Sequence, residues 1–356
     1  MILLIAPGNS IHSHRWYSHF SSKLDMVWFS LHKFTNTQDE SKQIPLSVSI
    51  PMLPLHMIKV YLFIKSHKIS TIHVHSIARY GFLVLFACIF TKTKLIISPW
   101  GSDLVEGSKS FLNKFFIRYL IKRASLIHVD AAHMSNICEE LVPHSKEKCK
   151  HIMFGANTDL FKNKSIASSS KFSFLSIRNH EDIYMVDLII KAFAIISKEF
   201  ENLNLNILGS GSKTEDLKKL ASQYQLPESI NFIGRVTQEE MIEEINRNKV
   251  VISASIRDGG LASSLGEAMS CERVVIASSG KEDENLLWID HGVNGYLFAN
   301  KSIEDLVEKM RQCFKNQDLN KEIGLRARQT ILKRYDFEVE MLKFEEIYNE
   351  FIASKA

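Results

Sequence analysis

The chain has 356 residues and a formal net charge of +4, with 45% hydrophobic and 24% charged residues. This is the composition of an ordinary globular protein, and the length predicts two domains. The five cysteines are odd in number and lack C-x-x-C spacing, which argues against both a disulfide framework and a zinc site. A reducing cytoplasm is therefore the expected location.

The charge is unevenly distributed along the chain. Residues 1–165 carry 20 lysines and arginines against 10 aspartates and glutamates. A basic half suggests contact with a phosphorylated ligand, an anionic membrane or nucleic acid, although it is equally compatible with a solvated basic face. No nucleic-acid recognition module is present to support the last of the three partners.

Two apolar stretches bear on membrane targeting. The start, MILLIA, has no basic region before it and runs directly into Pro7 and Gly8, so it predicts a buried strand rather than a signal peptide. The longest apolar run, GFLVLFACIF at 81–90, stops well short of the roughly 20 residues that a spanning helix needs. Neither secretion nor a transmembrane segment is expected.

Short aliphatic runs alternate with helical patterns from MILLIA, STIHVH, KLIIS and SLIHV to FSFLSI, LNLNIL, INFIG, KVVISAS and RVVIAS. This alternation predicts parallel, doubly wound α/β sheets. The polar, serine-rich stretch 157–171 interrupts it and is the predicted linker. We therefore expect domains at 1–164 and 165–335, followed by a terminal helical segment at 336–356.

Ligands of such folds bind beyond the carboxyl ends of the strands, so the loops there are the candidate sites. After the first strand, Gly8 allows a tight turn, and a helix is expected from Ser13 or His14. His12, in this loop, is a candidate for contact with a substrate hydroxyl, with an ordinary surface role as the alternative.

The loop SPWGSDL, after KLIIS, contains two further candidates. Trp100 provides a flat face for a sugar ring or a plug for the core, and Asp103 either binds hydroxyls or caps the next turn. In the second domain, Arg178 ends the strand FSFLSI, where a guanidinium can pair with a diphosphate. The alternative for Arg178 is a surface salt bridge to Glu181 or Asp182.

The stretch NILGSGS resembles a dinucleotide-binding glycine loop only in part. Gly209 and Gly211 are present, but a third glycine and a downstream acidic residue are missing. An NAD-dependent dehydrogenase is therefore disfavoured, while a tight turn near a nucleotide remains reasonable.

The stretch SASIRDGGLASSLGEAMSCER combines a strand end, a glycine-containing loop and a helix start. Ser263 or Ser264 is the expected N-cap of a helix that runs to about Ser270. The free amide groups at such a start form an anion site suited to a diphosphate. This predicted site is formed by Gly259, Gly260, Leu261, Ala262, Ser263 and Ser264.

Two acidic residues flank this anion site. Glu267 lies about one turn into the helix, where its carboxylate can accept hydrogen bonds from ribose hydroxyls. Asp258 lies in the loop on the other side. A ligand with a sugar at each end of a diphosphate would explain both positions.

The segment FLNKFFIRYLIKR sets Lys114, Arg118 and Lys122 four residues apart, with aromatic residues between them. This pattern is typical of a helix that lies on an anionic membrane, and equally of an amphipathic helix that packs on a sheet.

Nine short motifs, taken in their order along the chain, resemble those of the retaining glycosyltransferases of family four. They are GNSIHSHRW, HVH, SPWGSDL, GANTDLF, SIRN, LGSGS, NFIGRV, LGEAMSC and HGVNGYLF. The resemblance implies the GT-B fold, two Rossmann-like domains facing across a cleft with a C-terminal helix crossing back to the first. It implies that Glu267 binds the donor ribose, that Asp258 contacts the transferred sugar and that Val236 lies beside the base.

Three positions depart from the family pattern. Tyr184 stands where the family usually has a lysine, and Trp100 where many members have a histidine. Asp258 replaces the usual glutamate and is separated from Glu267 by eight residues instead of seven. The lack of the lysine leaves Arg178 and the helix start to carry more of the phosphate charge. The resemblance also implies catalysis without a metal or other cofactor, by front-face attack.

The function expected from the resemblance is transfer of a hexosyl-type sugar, with retention, from a nucleoside-diphosphate sugar to a saccharide or lipid-linked saccharide. The pathway would be bacterial O-antigen, capsule or lipopolysaccharide assembly, in the cytoplasm or at the inner face of the plasma membrane. A GT-B nucleotide-sugar epimerase and a non-catalytic nucleotide-sugar-binding protein are the alternatives.

Overall fold

The computed structural model describes residues 1–35, 41–46, 52–100, 104, 110–164, 171–225, 229–256, 261–279 and 288–353. The chain divides into two compact units. Unit 1 consists of Met1–Phe154 and Val339–Ala356, and unit 2 of Gly155–Glu338. Each unit has its own hydrophobic core. In the described ranges, no helix combines the length and the hydrophobicity needed to cross a bilayer.

Unit 1 is built on seven parallel strands in the order β3-β2-β1-β4-β5-β6-β7. Strands β1, β2 and β4 are buried at every position, as is typical of parallel strands covered on both faces. The strands are β1 Ile2–Ile5, β2 Met26–Ser30, β3 Gln43–Pro45, β4 Thr71–His75, β5 Lys94–Ser98, β6 Leu126–Val129 and β7 Cys149–His151.

Among the described residues, six α-helices connect these strands: α1 Ile11–Ser21, α2 Leu53–Ser66, α3 Ile77–Tyr80, α4 Leu85–Phe90, α5 Phe111–Arg123 and α6 Ala132–Leu141. Helix α1 begins at Ile11, two residues before the predicted start at Ser13. The extended Ser10 is its N-cap, so His12 lies in the first helical turn rather than in the loop.

Unit 2 is built on six parallel strands in the order β10-β9-β8-β11-β12-β13. They are β8 Phe172–Ile177, β9 Leu203–Leu208, β10 Ile230–Gly234, β11 Val250–Ser253, β12 Val274–Ser279 and β13 Tyr296–Ala299. The α-helices within the described ranges of this unit are α7 Val186–Ile196, α8 Thr214–Gln223, α9 Gln238–Arg247, α10 Ser263–Ser270, α11 Ile303–Lys315 and α12 Gln317–Arg334. The predicted doubly wound α/β fold is confirmed in both units.

Residues 155–164 belong to unit 2, although the sequence placed them before the domain boundary. Phe161 is fully buried there, and its carbonyl accepts a hydrogen bond from the Ser270 hydroxyl. The backbone N–H of Lys164 donates to the Asn246 side chain. These contacts give the polar stretch a fixed place that its composition does not indicate.

The last helix, α13, spans Phe337–Ala353, and its residues from Val339 onward belong to unit 1. It buries Met341, Phe344 and Tyr348 completely. The Glu340 carboxylate accepts a hydrogen bond from the backbone N–H of Met153, 2.9 Å away. Helix α13 is therefore packed into unit 1.

Candidate active site

The strand order of unit 2 reverses between β8 and β11, because β9 and β10 extend the sheet on one side and β12 and β13 on the other. In open α/β sheets, the crevice beyond the carboxyl ends of the strands at such a point is where ligands bind. The loops that follow β8 and β11 therefore define the candidate site of unit 2.

Arg178, the first residue after β8, joins these two loops. Its Nη2 donates to the Oγ of Ser255, 2.8 Å away and two residues beyond β11. The guanidinium lies over the ring of Tyr184, 4.4 Å from the centroid. The acids considered as its alternative partners have other contacts, since Glu181 accepts from the backbone N–H of Ser212 and Asp182 pairs with Lys213.

Ser255 is itself held in place from two sides. Its hydroxyl lies 3.2 Å from that of Ser253, and its carbonyl accepts a hydrogen bond from the Ser278 hydroxyl on β12. The guanidinium of Arg178 therefore has a preset orientation. A planar, oriented guanidinium suits bidentate contact with phosphate.

Gly209 and Gly211 lie in the loop after β9, and both pack against the loop after β8. Gly209 has φ +106°, and a side chain there would overlap the carbonyl oxygen of Arg178. A side chain on Gly211 would overlap the carbonyl of His180. The two glycines are thus explained by the close approach of two loops, which also fixes the backbone at Arg178.

Val236 follows β10 and is partly buried. The preceding Arg235 donates from Nε to the Oγ of Ser210, 2.7 Å away in the loop after β9. Thr237 then caps α9 in a capping box with Glu240. The loops after β9 and β10 are therefore joined in the same way as those after β8 and β11.

Helix α10 begins at Ser263 and ends at Ser270, the predicted end. The predicted N-cap was wrong, because Ala262 occupies that position and no side chain caps the helix. Ser263 and Ser264 are instead its first two residues. With no side-chain oxygen at the N-cap, the amide groups of this first turn lack the usual side-chain acceptor.

Tyr335, the C-cap residue that follows α12, positions the start of α10. Its hydroxyl donates to the carbonyl of Leu261, 3.3 Å away. Its ring lies against Gly266, where a Cβ would be 2.7 Å from Cε1 of Tyr335. Trp288 contacts the same ring edge-on, with centroids 5.3 Å apart.

Glu267 is the fifth residue of α10, and only 4% of its surface is exposed. A buried carboxylate is expensive unless it is paired or hydrogen-bonded, so this position indicates a specific role rather than a solvated face. The other predicted residues of this region, Asp258, Gly259 and Gly260, lie outside the described residues.

In unit 1 the strand order reverses between β1 and β4. Gly8 follows β1, and its backbone N–H donates to the Oγ of Ser30, 2.7 Å away. A Cβ on Gly8 would lie 2.9 Å from the His32 carbonyl oxygen. As in unit 2, the glycine allows two loops at the carboxyl edge to approach each other.

The rings of His12 and Trp100 form an edge-to-face contact with centroids 6.1 Å apart, and the ring of Phe154 lies 5.3 Å from that of His12. Burial and, to a smaller extent, the charge of the nearby Arg15 lower the pKa of His12 to about 4, so the imidazole is neutral at pH 7. The structure thus brings His12 and Trp100 together, while Asp103 lies outside the described residues.

A chain of hydrogen bonds behind these residues sets the tautomers of two buried histidines. The Ile152 carbonyl can only accept, so Nε2 of His128 donates to it at 2.8 Å. The neutral ring then accepts at Nδ1 from the Ser98 hydroxyl, also at 2.8 Å. Ser98 in turn accepts from Nε2 of His73 at 2.6 Å.

The same chain continues to α13. His73 is left with Nδ1 as an acceptor, and the Tyr348 hydroxyl donates to it. Trp16 donates from Nε1 to the Tyr348 oxygen at 3.1 Å. Burial lowers the pKa of His73 well below its usual value, and that of His128 to about 4, which agrees with neutral rings.

Two family models match the chain. The family model described as "Glycosyl transferases group 1" matches residues 157–330, and the model described as "Glycosyl transferase 4-like" matches residues 1–131. Only 132–156 and 331–356 are left unmatched. The chain is a GT-B glycosyltransferase.

The glycosyltransferase is similar to an uncharacterized glycosyltransferase of Methanocaldococcus jannaschii, at 27% identity over 74% of this chain and 70% of the relative. It is 24% identical to N-acetyl-alpha-D-glucosaminyl L-malate synthase of Bacillus anthracis, over 79% of this chain and 74% of that protein. The structure of Anabaena HepE in complex with UDP matches with a TM-score of 0.81 at 14% identity, covering 98% of this chain and 99% of HepE.

Sequence reasoning about the glycosyltransferase missed the residues that hold the site together. Ser255 ends the run KVVISAS, so its place at a strand end was an available signal. Tyr335 had no such signal, because it lies 74 residues from the carbonyl that it binds. The HVH motif drew attention to His73 without indicating its partners.

Proposed function

We propose that this glycosyltransferase transfers a hexosyl-type sugar from a nucleoside-diphosphate sugar to a saccharide or lipid-linked saccharide, with retention of configuration. The pathway is bacterial O-antigen, capsule or lipopolysaccharide assembly. The observation that carries the donor assignment is Arg178, held by Ser255 and Tyr184 where the strand order of unit 2 reverses. The UDP bound by HepE, a protein of the same fold, supports a nucleotide donor.

Charge and backbone dipoles together suit the donor diphosphate. Arg178 contributes a fixed positive charge, and the first turn of α10 contributes amide groups with the helix dipole behind them. Both interactions strengthen as negative charge develops on the departing nucleoside diphosphate. In this proposal they replace a metal ion, and no cofactor takes part.

The remaining donor contacts follow the resemblance to family four. Glu267 accepts hydrogen bonds from the ribose hydroxyls, Asp258 contacts the transferred sugar, and Val236 lies beside the base. Gly259 and Gly260 let the backbone come close to the diphosphate, and Gly209 and Gly211 allow the loop after β9 to pack against the loop of Arg178 near the nucleotide. The burial of Glu267 supports its role, because a carboxylate removed from water favours hydroxyl partners.

Retention follows from attack on the face that the leaving group occupies. The bond between the sugar C1 and the phosphate oxygen breaks, the acceptor oxygen bonds to C1, and the acceptor proton passes to the departing phosphate oxygen. On the acceptor side, the neutral His12 can accept a hydrogen bond from an acceptor hydroxyl, and Trp100 offers a ring face to a sugar. In this proposal Gly8 and Asp103 also contact the acceptor or the transferred sugar.

Calorimetric titration with pyrophosphate, uridine and UDP tests the donor site and separates its parts. Arg178→Gln should weaken pyrophosphate and UDP binding about 10- to 100-fold, because a charge-assisted hydrogen bond is lost. Glu267→Gln should weaken uridine and UDP binding and leave pyrophosphate unchanged. Parallel titrations with GDP and ADP identify the preferred base, and added EDTA should change none of these affinities.

Arg235→Gln is the matched control, since this arginine also follows a strand of unit 2 but donates to Ser210. Unchanged pyrophosphate binding in Arg178→Gln would refute the donor assignment. Product analysis by NMR then tests the reaction itself. An epimerase releases an altered free or nucleotide-linked sugar without an acceptor, and a non-catalytic binder leaves the donor intact.

A further inference from the structure

Three helices of unit 1 adjoin one another on its surface. Helix α2 packs against α4, and the rings of Tyr61 and Phe90 lie 6.0 Å apart at their junction. Arg123, at the end of α5, donates to the carbonyls of Cys88 and Thr91, at 3.2 and 3.1 Å, where α4 ends. The exposed sides of α2, α4 and α5 are therefore neighbouring surfaces, here called the basic apolar face.

Large apolar side chains of this face are exposed to solvent and lie outside the hydrophobic core. On α2, Leu55, Ile58 and Leu62 follow one another at helical spacing and are 43–56% exposed, while Val60 and Ile64 are buried. Helix α5 behaves in the same way, with Phe116 buried and Phe111 and Phe115 exposed at 85% and 72%. The exposed apolar residues of the face are Met52, Leu55, Ile58, Leu62, Ile89, Phe90, Phe111 and Phe115.

The charged residues in the sequence segments that form this face are all basic. No aspartate or glutamate occurs in residues 41–100, or in α5, whereas both segments carry several lysines and arginines. Lys114, Arg118 and Lys122 line a groove of about 520 Å³ on α5 together with the exposed phenylalanines. Within the described part of the chain, none of these three cations forms an ion pair with a carboxylate.

We propose that the basic apolar face binds the surface of a bilayer that contains anionic lipids. Exposed leucine and phenylalanine side chains are suited to the boundary between headgroups and acyl chains, and the cations of α5 to the lipid phosphates. A large apolar patch without acidic residues would not favour a second copy of itself, because the two basic faces would repel each other. The stripe on α2 extends the contact beyond the helix that the sequence pattern indicated.

Flotation of the full-length protein with vesicles tests this proposal without requiring any activity. The protein should float with vesicles of equal parts phosphatidylglycerol and phosphatidylcholine, and only weakly with phosphatidylcholine alone. Lys114→Gln/Arg118→Gln/Lys122→Gln should reduce partitioning about 100-fold, since each cation near an anionic surface contributes about fivefold. Leu55→Ser/Leu62→Ser should reduce it at high salt as well, because the apolar term is not screened.

Matched controls exist in unit 2. Lys198→Gln/Lys219→Gln/Lys333→Gln removes the same charge from exposed positions, and Leu325→Ser/Leu332→Ser changes two leucines of α12 with the same seven-residue spacing. Both should float as the unaltered protein does, and circular dichroism melts verify folding of each variant. Absence of flotation with anionic vesicles, or an equal loss in the controls, would overturn the proposal.

Light scattering can give a further result that would contradict membrane binding by the basic apolar face. A dimer that Leu55→Ser/Leu62→Ser dissociates would identify the face as an interface between copies of the chain. Because vesicle binding does not depend on Arg178 or Glu267, its failure is distinguishable from failure of the donor assignment.

Discussion

Individual residues at the strand ends show how distant parts of the chain set one side chain's chemistry. Arg178 is oriented by Ser255, which is 77 positions away in sequence. The tautomer of His73 is set through Ser98 and His128 by the Ile152 carbonyl. Its other ring nitrogen accepts from Tyr348, 275 positions away. A sequence pattern can indicate that an arginine or a histidine lies near a ligand, but the partner that orients it is visible only in the folded chain.

The buried histidines make the stability of unit 1 depend on pH. Burial lowers the pKa of His12 and of His128 to about 4, and that of His73 and His75 lies well below the usual value. Between pH 6.5 and about 4 the unfolded chain therefore binds more protons than the folded one, so acidification destabilises the fold. His128 alone accounts for about 3 kcal/mol across this window.

Urea unfolding at pH 7, 6 and 5 measures this effect. Tryptophan fluorescence is the probe, because three of the tryptophans (Trp16, Trp28 and Trp100) lie in unit 1. We expect the free energy of unfolding to fall as the pH drops below 6.5, and to fall less steeply in His128→Gln. The exposed His144→Gln is the control and should retain the full slope. A free energy that is independent of pH between 7 and 5 would contradict the neutral tautomers assigned here.

At the scale of elements, the strand runs FSFLSI, LNLNIL and INFIG were predicted with the observed bounds of β8, β9 and β10. Parallel strands are buried on both faces and so form continuous apolar runs that stand out in sequence. The short strands β3 and β7 were not predicted, because three residues at a sheet edge carry little pattern of their own. Strands β2 and β13 were also missed, although MVWFS and YLFA are apolar runs of the same kind.

The start of α10 depends on another element, α12, through the contact between Gly266 and Tyr335. Gly266→Ala places a methyl group against a ring that is only 2% exposed and cannot move aside. We expect a loss of about 1–3 kcal/mol in the free energy of unfolding of unit 2. Because α10 shifts, UDP binding should weaken as well.

A double-mutant cycle with Tyr335→Ala checks the cause of that loss. If the clash with the ring is responsible, Gly266→Ala should cost almost nothing once the ring is absent, so the two changes are not additive. Additive losses in chemical denaturation would show that the alanine acts through another neighbour.

The whole molecule consists of two units whose division does not follow the order of the chain. Unit 1 takes its last helix from Val339 onward, after the whole of unit 2. Met341, Phe344 and Tyr348 of α13 are buried, and the rings of Phe344 and Tyr348 contact His73 of β4, so α13 is an integral part of folded unit 1. Truncation is therefore expected to affect the two units differently.

A chain that ends at Glu338 lacks the buried Met341, Phe344, Ile347 and Tyr348. Each such loss costs about 2–5 kcal/mol, and their sum is comparable with the whole stability of a domain, about 5–15 kcal/mol. Limited proteolysis with mass spectrometry should therefore degrade residues 1–154 quickly and leave a resistant fragment near 155–338. Equal resistance of both units would show that α13 is dispensable.

The sequence by itself determined the parallel α/β architecture and the positions of the candidate site residues at strand ends and at the start of α10. It could do so because continuous apolar runs, glycines in loops and a helix start are local patterns. The tertiary structure decided which side chains hold Arg178, how Tyr335 positions α10, which nitrogen of each buried histidine carries its proton, and that the apolar stripe of α2 adjoins the cations of α5. These features depend on residues that are distant in sequence and meet only when the sheets form, so no local pattern specifies them.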